Sequence, residues 1–255
     1  FDGNTPLSFV HFQKGGNIVL QLKDFLSERI GFFIFAVILF WLKTYLVYQV
    51  EFELGVEGFF QEFILFINPI ATTVFLFSIT LYFTKSKKAY GALFVVYFLT
   101  SLLIYSNVLY YREFSDFLTA STIIGAGNVS NGIGASALAL LRPQDILYWL
   151  DFFILLFMAY SKRSPIQMNP RPMLNQYAVA ATTLGVILFS VNLVLAEINR
   201  PQLLARTFDR NYIVKYLGVN FFTAFDGYQT AQNNQMKASA DESDMENVLS
   251  YVEDH

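Results

Sequence analysis

Apolar residues in this chain run together in blocks of about 20, the length a helix needs to cross the ~30 Å hydrocarbon core of a bilayer. One block extends from Ile30 to Val50 and is broken only by Lys43. A second runs from Phe63 to Phe83, with Asn68 and Pro69 near its start, and a third from Tyr90 to Tyr111 without a charged residue. A fourth, weaker block begins at Pro143, a residue suited to a first helical turn, and continues to Tyr160 with Asp151 inside. A fifth runs from Tyr177 to Ala196. The pattern predicts an all-α membrane protein of five transmembrane helices, with short interfacial helices on the extracellular side. No internal repeat relates its halves.

The polar residues between the blocks predict orientation, because Lys and Arg are retained on the cytoplasmic side. Lys85, Lys87 and Lys88 lie between spans two and three, and Lys162, Arg163 and Arg171 between four and five, with no acidic residue in either loop. The loop between spans one and two holds Glu51, Glu53, Glu57 and Glu62 and no cation. The amino terminus is therefore expected inside and the carboxyl terminus outside. Arg29 before span one agrees, and Trp41, Tyr45, Tyr48, Tyr110, Tyr111 and Trp149 fall near outer boundaries, as an aromatic belt does. This divides the chain into a cytoplasmic extension or expression remnant (1–24), a transmembrane domain (25–199), an extracellular juxtamembrane helical segment (200–237) and a linker (238–255).

Composition strengthens the membrane reading. Of 255 residues, 55% are hydrophobic and only 15% charged, against about 25% charged in ordinary soluble domains. The 28 Phe and 15 Tyr exceed what a core of this size buries. A net charge of -3 with dispersed cations excludes a nucleic-acid face. The absence of cysteine excludes thiol catalysis and Cys-ligated metal.

Candidate chemistry is sparse. His11 and His255 stand at opposite ends, so neither a zinc site nor a Ser-His-Asp arrangement assembles, and no acidic cluster suggests a metal. Gly125, Gly127, Gly132 and Gly134 lack the following Gly-Lys-Ser or Gly-Lys-Thr of a phosphate loop and read as a connector. Lys43 and Asp151 are intramembrane charges that require snorkelling, pairing or a function; snorkelling is the simplest account of Lys43, and a direct pair rests on equal depth alone. Glu197 and Arg200 read as an exposed local pair. After span five, Leu204, Phe208, Tyr212 and Tyr216 recur every four residues and Gly218 is placed to end the helix, with Arg206, Arg210 and Lys215 off the apolar face. Such a helix either rests in the headgroup plane or packs on the ends of the spans.

Three stretches carry a family resemblance: LKTYLVYQVEFELGV closing span one, LLIYSNVLYYREFSDFLT leaving span three, and AEINRPQLLARTFDRNYIVKYLGVNFFTAFDGYQT after span five. Together they resemble the lipoteichoic acid synthase family of Gram-positive bacteria, over about Phe25 to Val252. The resemblance implies five spans followed by an extracellular domain of the sulfatase and alkaline phosphatase type. That domain would move glycerol phosphate from phosphatidylglycerol onto a polyglycerolphosphate chain held by a glycolipid anchor, using a threonine nucleophile beside manganese. Neither the threonine nor any metal ligand falls within this sequence, which is expected to stop in the linker before that domain. The resemblance also implies cleavage by signal peptidase, matched here by Ala238-Ser239-Ala240 before DESD.

The expected role is that of a bacterial plasma-membrane domain that anchors its own extracellular transferase domain and touches lipid headgroups. Arg112, Arg142, Arg200, Arg206, Arg210 and Lys215 are the candidates for lipid phosphate, since a guanidinium matches phosphate oxygens in a bidentate manner. The competing account ties the arginines to Glu and Asp of neighbouring loops. A primase paralogue adding only the first glycerol phosphate, a non-catalytic scaffold for envelope partners and, last, a small transporter are the alternatives. Transport would require a polar path, for which the spans offer little beyond Asn68, Asn107, Asp151 and Asn192.

Overall fold

A computed structural model of the chain describes residues 25, 29–127, 140–161, 171–204 and 210–253. The expected 1–24 extension, the cations Lys162 and Arg163, Gly132 and Gly134, and Arg206 and Phe208 lie outside the described residues. Among those described, every regular element is helical. The order is α1 (Arg29–Val50), α2 (Gly58–Ser78) continued by a 3-10 turn (Ile79–Tyr82), α3 (Ser86–Phe114), α4 (Ala120–Gly127), a 3-10 segment (Pro143–Trp149) leading into α5 (Leu150–Ser161), α6 (Arg171–Asn199), α7 (Arg210–Leu217) and α8 (Val219–Glu253).

Among the described residues, four helical stretches are long and apolar enough to cross a membrane: Arg29–Val50, Gly58–Tyr82, Lys87–Phe114 and Asn175–Asn199. The expected fourth span is composite. Pro143 starts seven residues of 3-10 helix with Asp145 accepting a hydrogen bond from the Arg142 backbone N–H at 3.0 Å, and α5 adds only 12 residues. At rises of ~2.0 and ~1.5 Å per residue the two pieces together extend about 32 Å, whereas α5 alone reaches about 18 Å.

The spans pack inside out relative to a soluble bundle. In α1, Ile34, Ile38, Leu42 and Leu46 form an exposed apolar stripe, while the opposite stripe buries Phe33, Ala36, Phe40, Lys43, Thr44 and Val47. Polar residues thus face neighbours, as in a helix whose solvent is hydrocarbon. Phe40, Phe77 and Tyr97 bring α1, α2 and α3 together, with ring centroids 5.3 to 5.5 Å apart. α6 packs chiefly on α2. A Cβ at Gly185 would lie 2.8 Å from the Phe75 backbone, so the two helices cross in near-contact there. At the end of the bundle carrying the lysine loop, the Arg29 guanidinium donates to the carbonyls of Thr80, Leu81 and Phe83 at 3.1, 3.0 and 2.6 Å, satisfying the C-terminal carbonyls that the 3-10 turn leaves open.

Candidate functional site

Three polar assemblies lie within or at the ends of the apolar bundle, and they engage Arg112, Lys43, Asp151, Asn68 and Asn192.

The first sits at the end carrying the acidic loop. Arg112, in the last turn of α3, forks between two carboxylates: Nε and Nη2 donate to Glu51 at 2.9 and 2.7 Å, and Nη1 and Nη2 donate to Asp145 at 2.9 Å each. Tyr148 donates to Glu51, and Tyr105 donates to Asp145 at 2.9 Å. The side chain of Arg112 is only 5% exposed. Its hydrogen bonds hold the Glu51 carboxyl below the usual glutamate range. Of the two accounts of Arg112, the tie between loops is the one this geometry displays; Arg142 beside it is exposed.

The second lies in the middle of the bundle. Lys43 Nζ is 2.8 Å from Asp151 Oδ2 and donates to Ser101 Oγ at 2.6 Å, with the Phe40 and Tyr97 rings each 4.9 Å away. Tyr97 donates its hydroxyl to the same carboxylate oxygen. The snorkelling account of Lys43 is therefore corrected: Lys43 is 8% exposed and turns inward, because a carboxylate, a hydroxyl and two ring faces converge on its ammonium. Asp151 is equally buried. Tyr97 and Ser101 went unremarked in the sequence, and their only signal is a Tyr and a Ser four residues apart in an otherwise uncharged span.

The third seats α7. Of the helix expected from Leu204 through Tyr216, Leu204 lies in a turn and the described part runs from Arg210 to Leu217, with 205–209 outside the described residues. Gly218 does end it, with φ +86. Ile213 to Val219 are all buried, and α7 packs against α2, α6 and α8. Its terminal carbonyls need partners there. Asn68 of α2 donates to Val214 O and Lys215 O at 3.3 and 2.9 Å, and Asn192 of α6 donates to Tyr216 O at 2.7 Å. Tyr48 of α1 accepts from the Val219 N–H at 2.8 Å. Tyr212 and Tyr216 pack with Leu204, Ile64 and Ala196, which is the apolar face the spacing implied.

Asn68 and Asn192 are thus helix caps. Asn107 likewise folds onto its own neighbourhood, donating to Leu103 O and accepting from Leu118 N at 2.9 and 3.0 Å. The four polar residues considered for a transport path are each engaged in a local tie.

The candidate cations are dispersed among different environments. Lys215, placed off the apolar face by its spacing, is 2% exposed and donates to Gly55 O at 2.8 Å and Gln61 Oε1 at 3.2 Å. Arg210 pairs with Asp116. Arg200 stacks its guanidinium on the Tyr212 ring, 3.6 Å from the centroid, and has no acidic partner among the described residues; Glu197 instead accepts from the Gln202 N–H at 2.7 Å. Ala238 and Ala240 lie within α8, Ala238 exposed. Among the described residues no three His, Asp or Glu side chains converge as metal ligands. Glu51 and Asp145 converge, but they direct their carboxylate oxygens to the Arg112 guanidinium, so this pair does not fit a manganese ion.

Comparison with known proteins gives consistent matches. Residues 17–239 match the family model described as the lipoteichoic acid synthase N-terminal domain. The chain is 41% identical over 234 residues to lipoteichoic acid synthase 1 of Bacillus subtilis (strain 168), covering 92% of this chain and 36% of that protein. It is 38% identical over 232 residues to lipoteichoic acid synthase 2 of the same organism, 91% and 35% of the two chains. It is also 41% identical over 222 residues to the lipoteichoic acid synthase of Staphylococcus aureus (strain USA300), 87% and 34%. The chain therefore spans about a third of the length of these curated relatives. No solved structure matches.

Proposed function

The chain belongs to the lipoteichoic acid synthase N-terminal domain family, and from that premise we propose that it anchors and positions an extracellular transferase domain at the membrane surface. In the full-length protein that domain transfers glycerol phosphate from phosphatidylglycerol to a polyglycerolphosphate chain on a glycolipid anchor, with manganese held in the transferase domain. The observation that carries the positioning role is the seating of α7. Asn68, Asn192 and Tyr48 tie the α7–α8 junction to three different spans, and Asp226 of α8 accepts from the Ala120 N–H at 2.6 Å. A 35-residue helix thus leaves the bundle from a fixed root rather than a free tether.

In this reading the composite segment 143–161 supplies the fifth crossing, with the amino terminus inside and the carboxyl terminus outside in a multi-pass bacterial plasma-membrane protein. Signal peptidase cuts after Ala240. Arg200 is the foremost contact for lipid phosphate, because its fork of donors has no carboxylate partner among the described residues and lies at the end of a span, where headgroups are met. Arg142, Arg206 and Arg210 are secondary, and Arg112 and Lys215 serve the protein's own architecture. Turnover of headgroup-labelled phosphatidylglycerol tests the reading: manganese-dependent release is expected from the full-length protein and none from this segment. Activity in the isolated segment, or its absence from the full-length protein, would overturn it. Arg200→Ala should weaken phosphatidylglycerol binding while leaving the fold intact.

A further inference from the structure

Beside the close approach at Gly185, α2 and α6 flank a cavity of about 320 Å³, lined on its third side by the first two turns of α8. Its walls are Phe75 and Leu76 of α2, Val186 and Phe189 of α6, and Phe221 and Ala224 of α8. Only Thr72 and Asn220 add polar groups, and the Thr72 hydroxyl is already donated to Asn68 O at 3.3 Å. The volume lies within the ~300–1,000 Å³ range of small-molecule sites.

Its surroundings restrict what can fill it. Val186 lies near the middle of the Asn175–Asn199 stretch, and Phe75 lies within Gly58–Tyr82, both long and apolar enough to cross a membrane. Phe75 and Val186 are 42% and 48% exposed, so the mouth opens sideways onto the surface that hydrocarbon covers. Water finds too few hydrogen-bond partners in an apolar space, and such cavities stay dry. An empty one forfeits the dispersion contacts of its whole lining. A lipid chain is narrow, apolar and present at solvent concentration.

We propose that this cavity holds one acyl chain of a membrane diacyl lipid, wedged between α2, α6 and the root of α8. Phe189 and Phe221 pack with ring centroids 5.2 Å apart, and Phe221 stacks on Phe225, so the chain lies against the aromatic row that seats α8. Its occupancy supports the position of the helix that leads out of the bundle. The proposal rests on the membrane reading and does not depend on transferase activity.

The test uses the full chain in phosphatidylcholine vesicles doped with a phosphatidylcholine whose acyl chain carries a terminal diazirine. After photolysis, labelling is mapped by peptide and compared between the cavity, at Phe75 and Val186, and the plain lipid-facing position Val194. Labelling in the cavity should exceed that at Val194 and should resist dilution with unlabelled lipid, which competes fully at an ordinary lipid-facing site. Ala224→Trp, which fills the space from the α8 side, should remove the excess and leave Val194 unchanged. If Ala224→Trp does not fold, Val186→Phe fills the same space from α6 and reads the same way. Labelling that is equal at all three positions, or that survives a filled cavity in a folded variant, overturns the proposal. Loss of phosphatidylglycerol turnover with cavity labelling intact would count against the proposed function alone.

Discussion

Removal of either member of the Lys43–Asp151 pair separates an ion pair that holds the bundle together from one that is merely accommodated. In Asp151→Leu, the Lys43 ammonium keeps Ser101 Oγ at 2.6 Å and two ring faces at 4.9 Å but loses its counter-charge at 2.8 Å. Stripping one partner from a buried pair costs about 3–5 kcal/mol, because the remaining charge stays desolvated. The ring faces return about 0.5–2 kcal/mol each, as they already do in the intact protein, so they do not offset the loss. Tyr97 also loses its acceptor, adding about 1–3 kcal/mol for an orphaned hydroxyl unless it rotates to Ser101. Lys43→Met leaves a carboxylate held by Tyr97 alone and should cost a similar amount. In the double variant no charge remains, and the apolar replacements fit an interior already made of Phe40, Phe77 and Phe152. Reversible unfolding in mild detergent, followed by near-UV circular dichroism, gives the four corners of the cycle. The double variant should be at least about 2 kcal/mol more stable than the sum of the singles predicts. Additive losses, or singles within about 0.5 kcal/mol of the parent, would refute a desolvated pair and restore the snorkelling account of Lys43.

Three further outcomes follow from the same geometry. Gly218→Ala should destabilise by about 1–3 kcal/mol, because φ is +86 and the new Cβ would lie 3.0 Å from Asn68 Oδ1 and 3.2 Å from the Tyr48 hydroxyl; protease resistance of the 210–230 region reports it, and an unaffected pattern would show that α7 is not locked. The lowered Glu51 pKa contributes stability that is fully present above the ordinary glutamate value and is lost as pH falls through the lowered one, so Glu51→Gln should be less stable than the parent at neutral pH and converge with it in acid, whereas parallel pH profiles would exclude the contribution. Ala240→Lys should abolish signal-peptidase processing of the full-length protein; because the site lies on α8, cleavage in the parent needs local opening of that helix, and processing that is unchanged in the variant would rule the site out.

Legibility in the sequence followed the physics of each signal. Long apolar blocks have few alternative explanations, so α1, α2, α3 and α6 emerge near their observed bounds. The block at 143–160 is weaker because Pro143 and Asp145 favour a tight opening turn over an α-helix, and hydropathy does not distinguish the two. The distinctive run after span five was legible as a family resemblance and as an apolar face at Tyr212 and Tyr216. Its depth was not. Amphipathic spacing describes a helix with one wet side, and Lys215 looks like part of that side until Gly55 O and Gln61, distant in sequence, are brought against it.

By itself the sequence determined the solvent of this protein, the number of apolar blocks, the family and the position of the helix stop at Gly218, because each depends on local composition or on a single backbone requirement. Which side of each span faces lipid was decided by the tertiary structure, since in α1 both stripes are apolar and only Lys43 and Thr44 betray the buried one. The partners of Arg112, Lys43 and the α7 carbonyls were decided there too. In a low-dielectric interior a charge or a bare carbonyl must be satisfied by whatever the fold brings near; Asp151, Asn68 and Asn192 become those partners only when helices remote in sequence pack side by side.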